Sequence, residues 1–174
     1  MDAERVRRVF LSLVLVAAAL LAVLEMTLAR AGGPAAKPAT PWLAPIADTE
    51  RALASGDLAS AMASRHRAHL AALGSGNWEG FLAVGDAALR LGEASGDRLA
   101  MEPEARRAYR AALARARAQR SLDGVLRATE SFARLGDHDV VERGIRMARD
   151  LAGTDRDAQA RVATLAGLWI RESL

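Results

Sequence analysis

Residues Val9 to Ala29 form an apolar run of twenty-one residues that carries a single charge, Glu25, and follows Arg5, Arg7 and Arg8. As a helix rising about 1.5 Å per residue, a run of this length crosses the hydrocarbon core of a bilayer. That constrains everything downstream, because whatever follows is tethered to a membrane. The expected layout is a short N-terminus over 1–8, a transmembrane helix over 9–29, a linker over 30–45 and a folded domain over 46–174. Val9, Leu15, Leu20, Leu24 and Glu25 mark the anchor; Glu25 lies near its outer end, where a carboxylate reaches the interface.

Three arginines precede the run, and Arg30 and Lys37 follow it closely, a balance that favours a cytoplasmic N-terminus. A single-pass protein of a bacterial inner membrane, with its C-terminal domain in the periplasm, is the corresponding expectation. Ala29-Arg30-Ala31 fits the small-x-small pattern of a cleavage site, so a removed signal peptide is the alternative. The uninterrupted apolar core from Val9 to Leu24 and the arginine between the two alanines favour a retained anchor. Either way the domain is exported.

The linker holds four of the five prolines, Pro34, Pro38, Pro41 and Pro45. Proline removes amide donors and biases its predecessor away from helix, so this stretch is expected to be extended. Trp42-Leu43 within it has two readings: a plug for the first helix pair or a rest at the membrane interface, and an anchor for a partner protein.

Beyond Ile46 the chain is long enough for one domain with a real core. There is no cysteine, which removes disulfides, thiol catalysis, iron–sulfur clusters, cysteine-ligated zinc and covalent c-type haem. The net charge of +3 is carried mostly by the N-terminal 45 residues, leaving the domain almost neutral. Such a domain offers no nucleic-acid footprint.

Alanine, leucine and arginine dominate the domain and apolar residues recur at intervals of three and four, so an all-α fold is expected. Asn77, Ser121 and the Thr154–Asp157 stretch read as helix starts, and Glu102-Pro103-Glu104 as a first turn. Gly56, Gly74-Ser75-Gly76, Gly92, Gly136 and Gly153 read as helix ends. Three of these glycines sit in one phrase: Ala54-Ser55-Gly56-Asp57-Leu58, Arg90-Leu91-Gly92-Glu93 and Arg134-Leu135-Gly136-Asp137.

Here the chain resembles the tetratricopeptide repeat (TPR), a helix–turn–helix unit of about thirty-four residues. Phe81, Val84, Gly85 and Leu89 fall on the motif's first helix, and Ala105, Tyr109 and Ala112 on its second. In a third unit Val125, Ala128 and Phe132 precede Gly136, and Val141, Ile145 and Ala148 follow it. The first unit fits with Leu58, Ala61 and Ala68, but Arg65 stands in the large apolar position. The spacing departs from the motif, with about eight extra residues around Ala94 to Met101 that either lengthen the helices or bulge from one face. The resemblance implies an antiparallel helix-hairpin solenoid of about three pairs. A last helix over 155–172 would cap it through Val162, Leu165, Ala166 and Trp169. A plain antiparallel bundle is the other arrangement open to the same helices.

The chemistry-bearing residues are few. His66 and His69 share a helical face, but Arg65 and Arg67 flank them and no carboxylate within a turn completes a metal set. His138 lies between Asp137 and Asp139, a place for solvated charge. No serine has the Gly-x-Ser-x-Gly elbow, and Gly74-Ser75-Gly76 lacks the lysine of a phosphate loop. No catalytic, cofactor or metal site is expected. Between Ala105 and Ser121, by contrast, there are six arginines and no acid. At about 100° per residue, Arg106, Arg110, Arg117 and Arg120 fall within roughly an 80° arc beside Tyr109. They either pair with acids of adjoining helices (Glu130, Asp137, Glu142) or grip an acidic protein segment or lipid headgroup.

TPR domains bind proteins, and the resemblance therefore implies a non-catalytic scaffold or accessory subunit of a larger membrane complex, held to the bilayer by its N-terminal helix. An assembly factor or holdase for exported clients, of the kind that attends cytochrome maturation or the translocon, is the alternative.

Overall fold

The computed structural model describes residues 40–172, with side chains described as far as Trp169. The expected N-terminus, the span over 9–29 with Val9, Leu15, Leu20, Leu24 and Glu25, and most of the linker lie outside the described residues. Within them, no helix is long and apolar enough to cross a membrane.

The described chain is all-α. Its helices are α1 (Leu43–Ala54), α2 (Leu58–Ser75), α3 (Trp78–Ser95), α4 (Arg98–Ala118), α5 (Leu122–Ala133), α6 (His138–Ala152) and α7 (Arg156–Glu172). Alanine, leucine and arginine are strong helix formers, so the starts and stops are set by the residues between. Carboxylates or hydroxyls open four of the helices: Asp57 accepts from the Ser60 amide at 2.9 Å, Asp97 from Ala100 at 3.1 Å and Ser121 from Gly124 at 3.0 Å. Asp155, rather than Thr154, caps α7, accepting from the amides of Asp157 and Ala158.

Connections of two to four residues fold each helix back along its predecessor. Contacts then follow a simple rule: each helix packs on its neighbours in sequence, and α1, α3, α5 and α7 also pack on one another in series. The odd-numbered helices thus form a continuous layer, with α2, α4 and α6 laid across its other side. The core runs along the boundary, and its largest fully buried side chains are Tyr109, Phe81 and Phe132. At the C-terminal end Val162, Leu165 and Ala166 are buried as expected for a closing helix, and Trp169 packs against the same cluster.

The boundary between linker and domain moves. Helix α1 begins at Leu43, three residues ahead of the expected start, and takes Pro45 into its first turn. The amide that proline lacks would have no partner there, so the ring is tolerated. Trp42 is 2% exposed, with its indole against the backbone of α3 at Gly80, where a Cβ would come within 2.8 Å of Cδ2. It is a core residue and offers no anchor to a partner.

The turns move as well. Gly92 does not end its helix; α3 runs one turn further, and Gly92 is buried where a Cβ would lie 2.9 Å from the Met101 Cβ. The turn is made at Gly96, whose φ of +72° lies in the left-handed region that glycine enters freely. On the other side α4 starts at Arg98, which leaves Pro103 in its second turn rather than its first. The extra residues around Ala94 to Met101 therefore lengthen both helices of the pair instead of bulging. Gly56, Gly96 and Gly136, all at positive φ, stand forty residues apart.

Gly85 and Gly74 test this packing. A methyl at Gly85 would overlap the buried Tyr109 ring, whereas Gly74, also helical, has nothing within 4 Å of its Cβ position. Gly85→Ala should lose about 1–3 kcal/mol of stability through overpacking, while Gly74→Ala should gain up to about 1 kcal/mol from helix propensity. Urea unfolding followed by circular dichroism checks both; a harmless Gly85→Ala would mean that α3 and α4 are packed in another register.

Candidate functional site: an arginine-lined groove

The arginines of α4 divide by partner. Arg106 is a clamp: its Nε donates to both carboxylate oxygens of Asp137 (2.9 and 3.1 Å), Nη1 to Glu102 at 3.0 Å and Nη2 to the Leu135 carbonyl at 3.3 Å. With side chains only 26% and 21% exposed, Arg106 and Asp137 fasten α4 to the turn between α5 and α6. The Asp137 hydrogen bond raises the guanidinium's pKa above its ordinary value. This is the pairing with a neighbouring acid that the sequence allowed, and it withdraws Arg106 from the recognition stripe.

Tyr109 is withdrawn too. Its ring is wholly buried, in edge contact with Phe132 at a centroid distance of 5.9 Å, and its hydroxyl donates to Asp86 at 2.7 Å. Burial, reinforced by the Asp86 hydrogen bond, pushes the phenol well above its usual pKa. No partner can reach it. Arg120 stands in the loop after α4 with φ +53°, the only positive-φ residue other than glycine among the described residues, and does not line the groove.

What remains is a groove of about 360 Å³ between α4 and α6, lined by Arg110, Leu113, Ala114 and Arg117 on one wall and Val140, Arg143 and Met147 on the other. Arg110 and Arg117 are exposed, and neither side chain has a hydrogen bond or ion pair among the described residues. Arg143 spends its Nε on the Asp139 carbonyl at 3.1 Å and leaves its terminal nitrogens to the rim. Leu113 is buried at the floor, with Val140 and Met147 packed on the core beside it. Two members of the expected stripe thus share a groove with Arg143, which the reading of a single helix missed. Its signal lay in pairing α4 with α6, a relation that appears only once the hairpins are stacked.

A second groove of about 240 Å³ lies between α2 and α4, lined by Arg65, His66, His69, Val84, Glu104, Arg107 and Ala108. The two are related by position. His66 and His69 stand forty-four residues before Arg110 and Leu113, and Glu104 and Arg107 thirty-six before Val140 and Arg143. Desolvation, then the charges of Arg65 and His66, lower the pKa of His69, which Glu104 partly opposes. No group of three or more His, Cys, Asp or Glu suited to a metal ion occurs among the described residues. His138, the first residue of α6, rests its ring 4.7 Å from that of Trp169 while remaining exposed.

Two measurements follow from these placements. A double-mutant cycle of Arg106→Gln and Asp137→Asn should give a coupling of about 1–2 kcal/mol in urea unfolding, as expected for charged hydrogen bonds held partly out of solvent. A value near zero would mean that the pair is solvated. For His69, the folded state binds its proton less readily than the unfolded state, whose value is near 6.5. The resulting stability is complete above that pH and shrinks as pH falls below it. Stability should therefore decline from pH 7 to pH 5 more steeply in the wild type than in His69→Gln; equal slopes would place the imidazole in solvent.

No protein-family model, curated protein or solved structure matches the chain.

Proposed function

We propose that this chain is a membrane-anchored, non-catalytic interaction protein, an accessory subunit of a larger complex in a bacterial inner membrane. Its TPR-like helix hairpins would present the α4–α6 groove on the periplasmic side to an acidic segment of another subunit. The observation that carries this reading is the meeting of unpaired Arg110 and Arg117 with Arg143 over an apolar floor of Leu113, Val140 and Met147. Unpaired guanidiniums stay hydrated in the free protein and are ready to fork onto carboxylates, while the floor takes an apolar side chain of the same segment. The positional correspondence of the two grooves, and the turn glycines Gly56, Gly96 and Gly136 forty residues apart, support a repeat architecture. An apolar segment over 9–29 would hold domain and partner together, so that each contact need only be weak.

A holdase for exported clients is the second reading. It is favoured by Met62, Leu70 and Leu73 on α2, which are 51%, 53% and 48% exposed and would suit transient capture of apolar chain.

The test is purification of the tagged full chain in mild detergent, beside the variant Arg110→Gln/Arg117→Gln/Arg143→Gln. A stoichiometric membrane complex is expected with the wild type, with recovery falling about tenfold or more in the variant while helicity is retained. Equal recovery would remove the groove from the interface. A scatter of substoichiometric secreted proteins, lost on replacing Met62, Leu70 and Leu73 by serine, would establish the holdase instead.

A further inference from the structure

The groove between α2 and α4 differs from its counterpart in one respect that the peptide reading does not use. Arg65 stands forty-four residues before Tyr109 and eighty before Ile145, the residues that fill the corresponding interhelical position in α4 and α6. There a guanidinium occupies the place of a ring or an aliphatic chain, and its Nε is buried without a hydrogen-bond acceptor. A buried donor left unpaired costs about 1–3 kcal/mol, so the position is unfavourable unless something supplies the acceptor.

The surroundings define what that would be. From α2 come Arg65, His66 and His69; from α4 come Arg107 and Glu104, which pair with each other; Val84 of α3 and Ala108 lie among the lining residues. Phe81 of α3 presses edge-on against the His69 ring at 6.3 Å. Two guanidiniums and two imidazoles thus face one carboxylate, a donor set for an anion. In the other groove the histidine positions are taken by Arg110 and Leu113, and that of Glu104 by Val140, so the polar cluster belongs to this groove alone.

We propose that the cavity between α2 and α4 is a receptor for a phosphate group, bound by Arg65 and Arg107 with His66 and His69 as further donors. A planar carboxylate is satisfied by one guanidinium fork, whereas a tetrahedral phosphate offers three oxygens in different directions and can be met from both walls at once. Desolvation, together with the charges of Arg65 and His66, disfavours a proton on His69, with Glu104 opposing. A bound dianion reverses the balance, so phosphate and proton bind His69 cooperatively. A free small ester and a lipid headgroup both carry such a phosphate. Met62, His66 and Leu73 lie within about 40° of one line along α2, which sets exposed apolar side chains next to the cavity and makes the second source worth separating from the first.

The experiment uses the full chain in neutral detergent, with the imidazole resonances followed by NMR across a pH series. Inorganic phosphate, glycerol 3-phosphate and dihexanoyl phosphatidate are each exchanged for chloride at constant ionic strength. The midpoint of His69 should rise saturably, by about half a pH unit or more. The response should vanish in Arg65→Gln and weaken in Arg107→Gln, a side chain 69% exposed whose loss leaves the core alone. A gain of about tenfold or more in affinity from glycerol phosphate to phosphatidate assigns the lipid; equal affinities assign the free ester. The proposal is overturned if no probe moves the midpoint at tens of millimolar, or if the shift persists in both variants.

Discussion

Tyr109 lies with its ring against the bare backbone of α3 at Gly85, and the stack is organised around that approach. The same ring meets Phe132 of α5 edge-on, and its hydroxyl reaches back to Asp86. One side chain therefore joins three helices and has its single polar atom satisfied at the edge of the core. A buried phenol without that acceptor would be costly, and a side chain at position 85 would force α3 and α4 apart. Elsewhere alanines do similar work at lower resolution of shape: Ala61, Ala68, Ala72, Ala105, Ala112 and Ala128 are fully buried and keep neighbouring helices close.

Because the odd-numbered helices pack in series, the even-numbered ones are left with gaps between them, and both grooves lie in those gaps. This placement explains why the α4 arginines do not share one role. Arg106 meets a turn that supplies carboxylates and becomes structural; Arg110 and Arg117, further along the same face, meet Val140, Arg143 and Met147 and stay unpaired. Net charge says little about such a surface. The domain is close to neutral, yet its cations and anions are sorted by which neighbour each helix is given.

Much of the architecture was legible in the sequence because it follows from local chemistry. Helical periodicity, the Ser121 cap, the turns at Gly56 and Gly136 and the apolar face of the last helix all depend on residues near one another in the chain. The misplaced features depend on the third dimension. Gly92 and Gly96 are alike as letters, but one is a close contact inside a helix and the other a left-handed turn. Trp42 sits among prolines that suggest a tether, and only the proximity of Gly80 makes it core. Of the expected stripe, Arg106, Arg110 and Arg117 lie along one face of α4, while Arg120 falls in the loop beyond it. The division between clamp and groove required knowing that Asp137 and Arg143 arrive from α6 and the turn before it.

The rule that a helix meets only its near neighbours has a kinetic side. The longest side-chain hydrogen bond among the described residues, from Arg134 to Asp86, spans 48 positions, and the substantial helix contacts reach no further than two helices along the chain. Closing loops of this length exacts little entropy beyond that of a single hairpin, since the penalty grows only logarithmically with loop size. Such a chain has no obligatory meeting of its two ends and can begin from any hairpin whose core is formed, adding helices outward in either direction. The pair α3–α4, with the most extensive mutual packing and the Tyr109 contact at its centre, is the natural place for that growth to start.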